Sequence, residues 1–238
     1  MALRAPTHVT AAHRDAMEAN PWFAALPRAQ RDALLSVAEV HHLARGTMLY
    51  RQGDGGDGIS GGFYGLASGF IKVSTLRQDG REAILALLEP GNWFGEIALI
   101  DGSLRSHDAT ALADAEVLVV TRAAFDRQMR ELAFAQAMAL LLAHRVRGLY
   151  DLMENATLRD LRSRVARRLL ALARGDVTQS PQMRREIALP QEAIAMMLGV
   201  TRQTLSKELH ALAAQGVLTV GYGRIEIHSF EALQAAAG

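Results

Sequence analysis

Between residues 46 and 120 the apolar positions come in short runs or alternate with polar ones, as in FIKVS at 70–74, ILALL at 84–88 and AEVLVV at 115–120. Gly, Asp and Pro clusters separate these runs, and thirteen of the 20 glycines fall between Gly46 and Gly102. That pattern predicts short strands joined by tight turns, where glycine supplies reversals that need positive φ. Near Thr121 the period becomes helical. Residues 125–154 contain no proline, and their only interior glycine is Gly148. Ala139, Leu142, Val146, Leu149, Met153 and Ala156 recur at alternating spacings of about three and four, the seam of a helix that pairs with another helix. Phe134, Met138, Leu141 and Leu152 make the same helix apolar on a further side. One face is expected on the strand-rich domain and the Leu142–Val146–Leu149–Met153–Ala156 face on a second copy.

The flanks read as helices too. Residues 1–20 suggest a loose or short helical arm. Asn20 followed by Pro21 marks a helix start, and Pro27 opens another short helix with Leu34, Leu35 and Ala38 on one face. Residues 158–173 predict an amphipathic helix with Leu161, Val165, Leu169 and Leu172 inward and arginines outward, stopped by Gly175. A polar loop at 176–182 and a strand at 185–189 follow.

The most informative segment is PQEAIAMMLGVTRQTLSKELHAL at 190–212. Ala193, Ile194, Met197 and Leu198 form one helical face, and Gly199 closes that helix. Thr201 caps a second helix with Leu205, Leu209 and Leu212 inward. Helix, short glycine turn and helix make the helix-turn-helix pattern. Thr201, Arg202, Gln203, Ser206 and Lys207 stand at the outer start of the second helix. Arg suits guanine, Gln suits adenine, and Ser and Lys reach base or phosphate. Residues 217–220 and 224–228 predict a two-stranded wing that carries Arg224 toward phosphate. An αα-hairpin of other purpose is the competing reading, and the wing, the local charge and the polar first turn favour DNA. The expected fold class is therefore α+β: an N-terminal antiparallel, jelly-roll-like β-roll at 1–122, a dimerisation helix at 123–157 and a winged helix-turn-helix at 158–238.

Composition sharpens this division. The 238 residues are 50% hydrophobic and 21% charged, ordinary for one large or two modest globular domains. The formal net charge is only +1, yet residues 1–157 carry −3 and residues 158–238 carry +4. An acidic front and a basic back suit different partners. The chain contains no cysteine, which excludes disulfides, thiolate-bound metal and cysteine-ligated clusters. No pair among the eight histidines has metal-ligand spacing, and His41 and His42 are adjacent, so no metal is expected. Phosphate-loop, G-x-S-x-G and HExxH motifs are absent from the sequence, so an enzyme is not expected. No export signal or membrane-length apolar stretch is found, and the expected place is the cytoplasm.

GVTRQTLSKEL at 199–209, FGEIALIDGSLRSHDATA at 94–111 and LYRQGD at 49–54 together resemble the Crp/Fnr family of bacterial transcription regulators. The resemblance covers almost the whole chain in order. It implies a homodimeric activator that binds double-stranded DNA, with RNA polymerase as a further partner and no membrane. It also implies a cyclic nucleotide effector in the β-roll, cAMP, cGMP or cyclic di-GMP. Gly95, Glu96, Ile97, Ala98, Arg105 and Ser106 match the family's ligand positions. Glu96 would accept from a ribose hydroxyl, Arg105 would fork onto the phosphodiester, and Ser106 would add a hydroxyl. The Thr-Ser pair by which cAMP-activated members read the purine is replaced near Leu149 and Tyr150. Tyr150 is left to stack on a base or to pack in the dimer. The turn between Asp57 and Gly69 is longer than the family's, with Ser60-Gly61-Gly62 as the excess. Two alternatives stay open: a constitutive regulator with a vestigial pocket, in which Glu96 and Arg105 pair, and a signal-binding protein acting through protein partners.

Overall fold

The computed structural model describes residues 7–55, 58–178 and 183–238. Asp57, residues 1–6 of the N-terminal arm and residues 179–182 of the polar loop lie outside the described residues. Contacts divide the chain into two units, Met1–Gly80 with Leu85–His144, and Arg81–Ile84 with Arg145–Gly238.

The N-terminal elements are β1 (Thr7–His8), α1 (Ala11–Glu18), α2 (Pro21–Ala24), α3 (Arg28–Ser36), β2 (Glu39–Leu43), β3 (Met48–Tyr50), a 3-10 turn (Gly58–Gly61), β4 (Phe63–Ser68), β5 (Ile71–Leu76), β6 (Glu82–Leu88), β7 (Trp93–Phe94), α4 (Glu96–Asp101), β8 (Asp108–Ala111), β9 (Ala115–Val120) and α5 (Arg122–Gln128), all in the first unit except the start of β6. The strands form two sheets, ordered β1-β2-β9-β4-β7 and β3-β8-β5-β6. The register of β2 on β9 pairs Glu39 with Val119 and Leu43 with Ala115. Alternation is weakest in β4 and β9, which lie inside the first sheet and are buried along most of their length.

Aromatic packing closes this unit. Phe63 of β4 and Phe23 of α2 both stack on Trp93 of β7, with centroids 5.0 and 5.3 Å away. Asn20 caps α2 through the backbone N–H of Trp22 at 2.9 Å, with Pro21 in its first turn, as its sequence predicts. Pro27 precedes α3, and Leu34, Leu35 and Ala38 are buried.

The helix expected from residue 125 is two helices. α5 ends near Met129, and α6 spans Leu132–Leu158. Phe125 and Phe134 are nine residues apart, which on one straight helix puts them on opposite faces. The break lets both pack on Phe63 and meet edge to face at 5.9 Å. The break costs little backbone bonding, since Met129 N–H still donates to Phe125 O at 2.9 Å, and Arg130 and Glu131 N–H donate three residues back to Arg127 O and Gln128 O at 3.2 and 2.9 Å, while three aromatic rings are buried. Trp22 Nε1 donates to the Ala137 carbonyl of α6 at 2.7 Å, and Phe134 and Met138 are buried.

The second unit holds α7 (Leu161–Ala173), β10 (Glu186–Ile187), α8 (Gln191–Leu198), α9 (Arg202–Ala214), β11 (Leu218–Gly221), β12 (Arg224–Ile227) and α10 (Phe230–Ala237). Leu158 belongs to α6, not to α7, because the Asp160 carboxylate accepts from Ser163 N–H at 2.8 Å and starts α7 after it. Val165, Leu169 and Leu172 are buried as expected, while Leu161 is half-buried. The expected outward arginines include one that turns inward. Arg168 forms a two-point ion pair with Asp176, both contacts 2.9 Å. The wing has a third strand, since β10 pairs with β12 beside β11. α10, which its Ala-rich sequence did not announce, packs on α7 and buries Leu233 and Ala237.

Candidate functional site

The helix-turn-helix assembles from α8 and α9. Ala193, Ile194, Ala195 and Leu198 are buried in α8; Met197, expected inward, is half-buried, and Ala195 takes its place in the core. Gly199 closes α8 at φ 67°, the left-handed conformation that glycine adopts without a Cβ penalty. Arg164 of α7 donates to the Leu198 carbonyl at 2.8 Å, so a cation satisfies an orphan acceptor at the α8 C-terminus. Thr201 caps α9 by accepting from Thr204 N–H at 3.1 Å. Its hydroxyl thereby shapes the helix start.

Leu205, Leu209 and Leu212 are wholly buried, and this fixes the rotation of α9. Arg202, Gln203 and Lys207 are exposed, and with half-exposed Ser206 they line one surface groove. His210 joins them there. Sequence reasoning passed over it, although its spacing from Ser206 and Lys207 puts it on their face. Glu208, the acid within this helix, is drawn to Arg162 of α7 at 3.3 Å. The groove therefore presents cations and neutral polar groups. Arg224, at the wing turn, is exposed.

On α6, Leu142 is half-buried and Ala156 is exposed. Val146, Leu149 and Met153 are 46%, 60% and 65% exposed, and Tyr150 is 66% exposed. The seam read from the sequence is thus an apolar surface of the single chain.

The β-roll cassette is arranged differently from a row of ligand contacts. Glu96 opens α4 and is fully buried; Ile97 is exposed and Ala98 half-buried. Gly95 precedes α4 at φ 88°. A Cβ there would lie 2.7 Å from the Tyr64 ring and 3.1 Å from Arg105 Nη1. Glycine is therefore needed for the approach of Tyr64. Arg105 is buried, and each of its guanidinium nitrogens donates to a carbonyl: Nε to Ser60 at 2.8 Å, Nη1 to Gly95 at 2.6 Å and Nη2 to Gly62 at 2.6 Å. Its charge also lies over the rings of Tyr50 and Tyr64, 4.5 and 5.2 Å from their centroids. Burial raises the pKa of the Tyr64 hydroxyl, and the neighbouring Arg105 opposes that rise. Ser106 is exposed, with Oγ 2.9 Å from His107 Nδ1. Gly95 and Arg105 are brought together; Ser106 is exposed beside His107, and Tyr150 belongs to the other unit.

Two family models match the chain: a cyclic nucleotide-binding domain over residues 40–131 and a Crp-like helix-turn-helix domain over 163–236. A relative in Thermus thermophilus, named cyclic AMP receptor protein, is 33% identical over 93% of this chain and 98% of its own length. The chain belongs to the Crp/Fnr family of transcription regulators. That family consists of transcription factors, not enzymes. A second CRP-family regulator of Thermus thermophilus has a solved structure that is 28% identical and matches with a TM-score of 0.60 over 83% of this chain and 96% of that one. FixK2 of Bradyrhizobium japonicum, at 24% identity, shares the fold with a TM-score of 0.74 over 85% of this chain and 98% of its own. Among the described residues of this Crp/Fnr regulator, no helix is long and apolar enough to cross a membrane.

The effector that the family's sensor domain implies can be tested against these residues. A cyclic phosphodiester needs donors free to turn toward it. All three Arg105 nitrogens already hold backbone carbonyls. The space between Arg105, Gly61, Leu99 and Ser103 is about 10 Å³, room for about one water, whereas small-molecule pockets run to about 300–1,000 Å³. In this arrangement the residues do not fit a cyclic nucleotide.

Proposed function

We propose that this Crp/Fnr regulator acts in the cytoplasm as a homodimer that reads a near-palindromic operator. The observation that carries the reading is the single groove on α9 in which Arg202, Gln203, Ser206 and Lys207 stand together. Arg202 and Gln203 read base edges, Ser206 and Lys207 reach base or phosphate, and Arg224 holds the backbone from the wing. The exposed Val146, Leu149 and Met153 of α6 pair with the same residues of a second copy. That pairing sets two recognition helices about 34 Å apart, one turn of the duplex. RNA polymerase is a further partner under this reading.

The packing around Arg105 favours the effector-independent form of this function over control by cAMP, cGMP or cyclic di-GMP. A nucleotide bound by Glu96, Arg105 and Ser106 would first have to displace three carbonyls. It would shift the regulator only by binding one conformation more tightly than another.

Selecting operators from a random DNA pool and measuring their binding by anisotropy tests the proposal. The expected site is near-palindromic and binds two chains. Arg202→Ala should relax the preference at one base pair per half-site by about 1–3 kcal/mol. Binding with no preferred sequence, or Arg202→Ala binding with unchanged preference, would refute the α9 assignment.

A further inference from the structure

We propose that residues 58–62 are an internal ligand of the β-roll, holding Arg105 as an effector phosphate would and closing the pocket without a nucleotide. The segment is the 3-10 turn Gly58–Gly61 and the residue after it, and it contains Ser60, Gly61 and Gly62, the stretch that the sequence reading expects to lengthen this turn. A turn lying on the surface would leave its carbonyls to water. Here two of them point at a buried guanidinium. Ser60 and Gly62 accept from Nε and Nη2, two donors of the same rigid fork. Such a fork matches the two oxygens of a phosphate, and the pair of carbonyls occupies the same directions.

A second group locks the turn from the opposite side. The Tyr64 hydroxyl donates to the Ile59 carbonyl and accepts from Gly62 N–H at 3.1 Å and from Arg105 Nη2 at 3.1 Å. Three parts of the turn, at Ile59, Ser60 and Gly62, are thus tied to two side chains from separate strands and loops. The Arg105 backbone is fixed as well: its N–H donates to Asp54 O at 3.0 Å, and its carbonyl accepts from Gly53 N–H at 2.8 Å. Gly62 fits for a steric reason, since a Cβ would lie 2.8 Å from Val119 Cγ1. Gly62 is also drawn in against β9 and Tyr64, and the end of the turn, Gly61 and Gly62, is buried.

The inference rests on the regulator reading only for its consequence, operator binding with no nucleotide present. The clamp itself is tested on the full chain without DNA, so its failure and a failure of operator reading are separate results. In a phosphate site awaiting its ligand, a buried arginine opposes folding, and its removal is neutral or stabilising. In a clamp, removal strands the buried Gly62 carbonyl and takes the partner from the half-buried Ser60 and Gly95 carbonyls.

Calorimetry should show Arg105→Ala lowering the Tm of the β-roll transition by about 5 °C or more. An unchanged or raised Tm would overturn the clamp. Should Arg105→Ala not fold, Tyr64→Phe keeps the ring and removes only the hydroxyl. It should speed amide exchange in the peptide carrying Gly61 and Gly62 at least about tenfold, which corresponds to the loss of one hydrogen bond. Exchange there at the rate of an unfolded peptide in the native protein would refute the proposal. The native protein, mixed with cAMP, cGMP or cyclic di-GMP at about 1 mM, should show no rise in Tm. A site with Kd of about 10 μM would raise it by roughly 5–10 °C. Such a rise, abolished by Arg105→Ala, would show that the pocket takes a nucleotide and would overturn the inference.

Discussion

Several single residues carry more of the fold than their types announce. Gly95 combines φ 88° with a Tyr64 ring where a Cβ would stand. Gly95→Ala should therefore destabilise the β-roll by about 2 kcal/mol or more, measured by chemical denaturation. Arg168 and Asp176 form a pair with both side chains under 10% exposed. Arg168→Ala removes both contacts of this arginine to the buried Asp176 carboxylate and should cost about 3 kcal/mol by the same measurement. His107 gives a pH signature. Burial lowers the pKa of its imidazole, opposed by the nearby Asp108. A folded pKa below the unfolded value means the unfolded chain binds the proton more readily. The contribution to stability is whole above about pH 6.5 and declines as pH falls through the folded pKa. His107→Gln should flatten that part of the stability–pH curve, read as denaturation midpoints at about pH 7.5 and 5.5.

Among the elements, α6 shows how one sequence serves two surroundings. Its first turns bury Phe134 and Met138, while its later turns expose Leu149, Leu152 and Met153. A helix that expands its apolar surface along one strip has an unfilled demand for a partner. If α6 pairs as proposed, Leu149→Glu should convert the proposed dimer to monomer in analytical ultracentrifugation, with each chain still folded, because the side chain is already solvated in the single copy. At α9 the elements act together: Leu205, Leu209 and Leu212 set its rotation, Arg162 withdraws Glu208, and Thr201 starts the helix. Thr201→Ala should lower stability by about 1 kcal/mol, through loss of the cap, whatever it does to DNA.

At the scale of the molecule, the near-neutral charge is a balance between an acidic sensor half and a basic reading half. The division into two units falls within α6, after His144. In the proposed homodimer, two weak half-site contacts would join into one strong one, since the second helix would bind at high effective concentration. The Leu149→Glu monomer should accordingly lose about 10²–10⁴-fold in affinity for the full operator while binding a half-site as the native protein does. Anisotropy on the two DNA lengths reads both quantities.

The local patterns of residues 115–120 and 190–212 were enough to place β9, α8, Gly199 and α9, because strand alternation, helix spacing and caps act within a few residues of chain. The same local rules placed Asn20, Pro21 and Pro27 at helix starts and found Arg202, Gln203, Ser206 and Lys207 on one face. They did not find the break between α5 and α6, since it answers to Phe63, some sixty residues away in sequence. Nor did they find α10, whose place depends on α7; they placed the strand at 185–189 but not its pairing with β12, which makes it the third strand of the wing. The effector pocket shows the limit most clearly. From the sequence, Gly95, Glu96, Arg105 and Ser106 are expected in a family motif, with a longer turn nearby; the match to a cyclic nucleotide-binding domain covers the residues 40–131 that hold them. Only the tertiary structure decided that the turn comes back to fill the donors of Arg105. Hydrogen-bond partners of a buried charge are chosen by which chain segments meet in space, and spacing along the sequence does not record that choice.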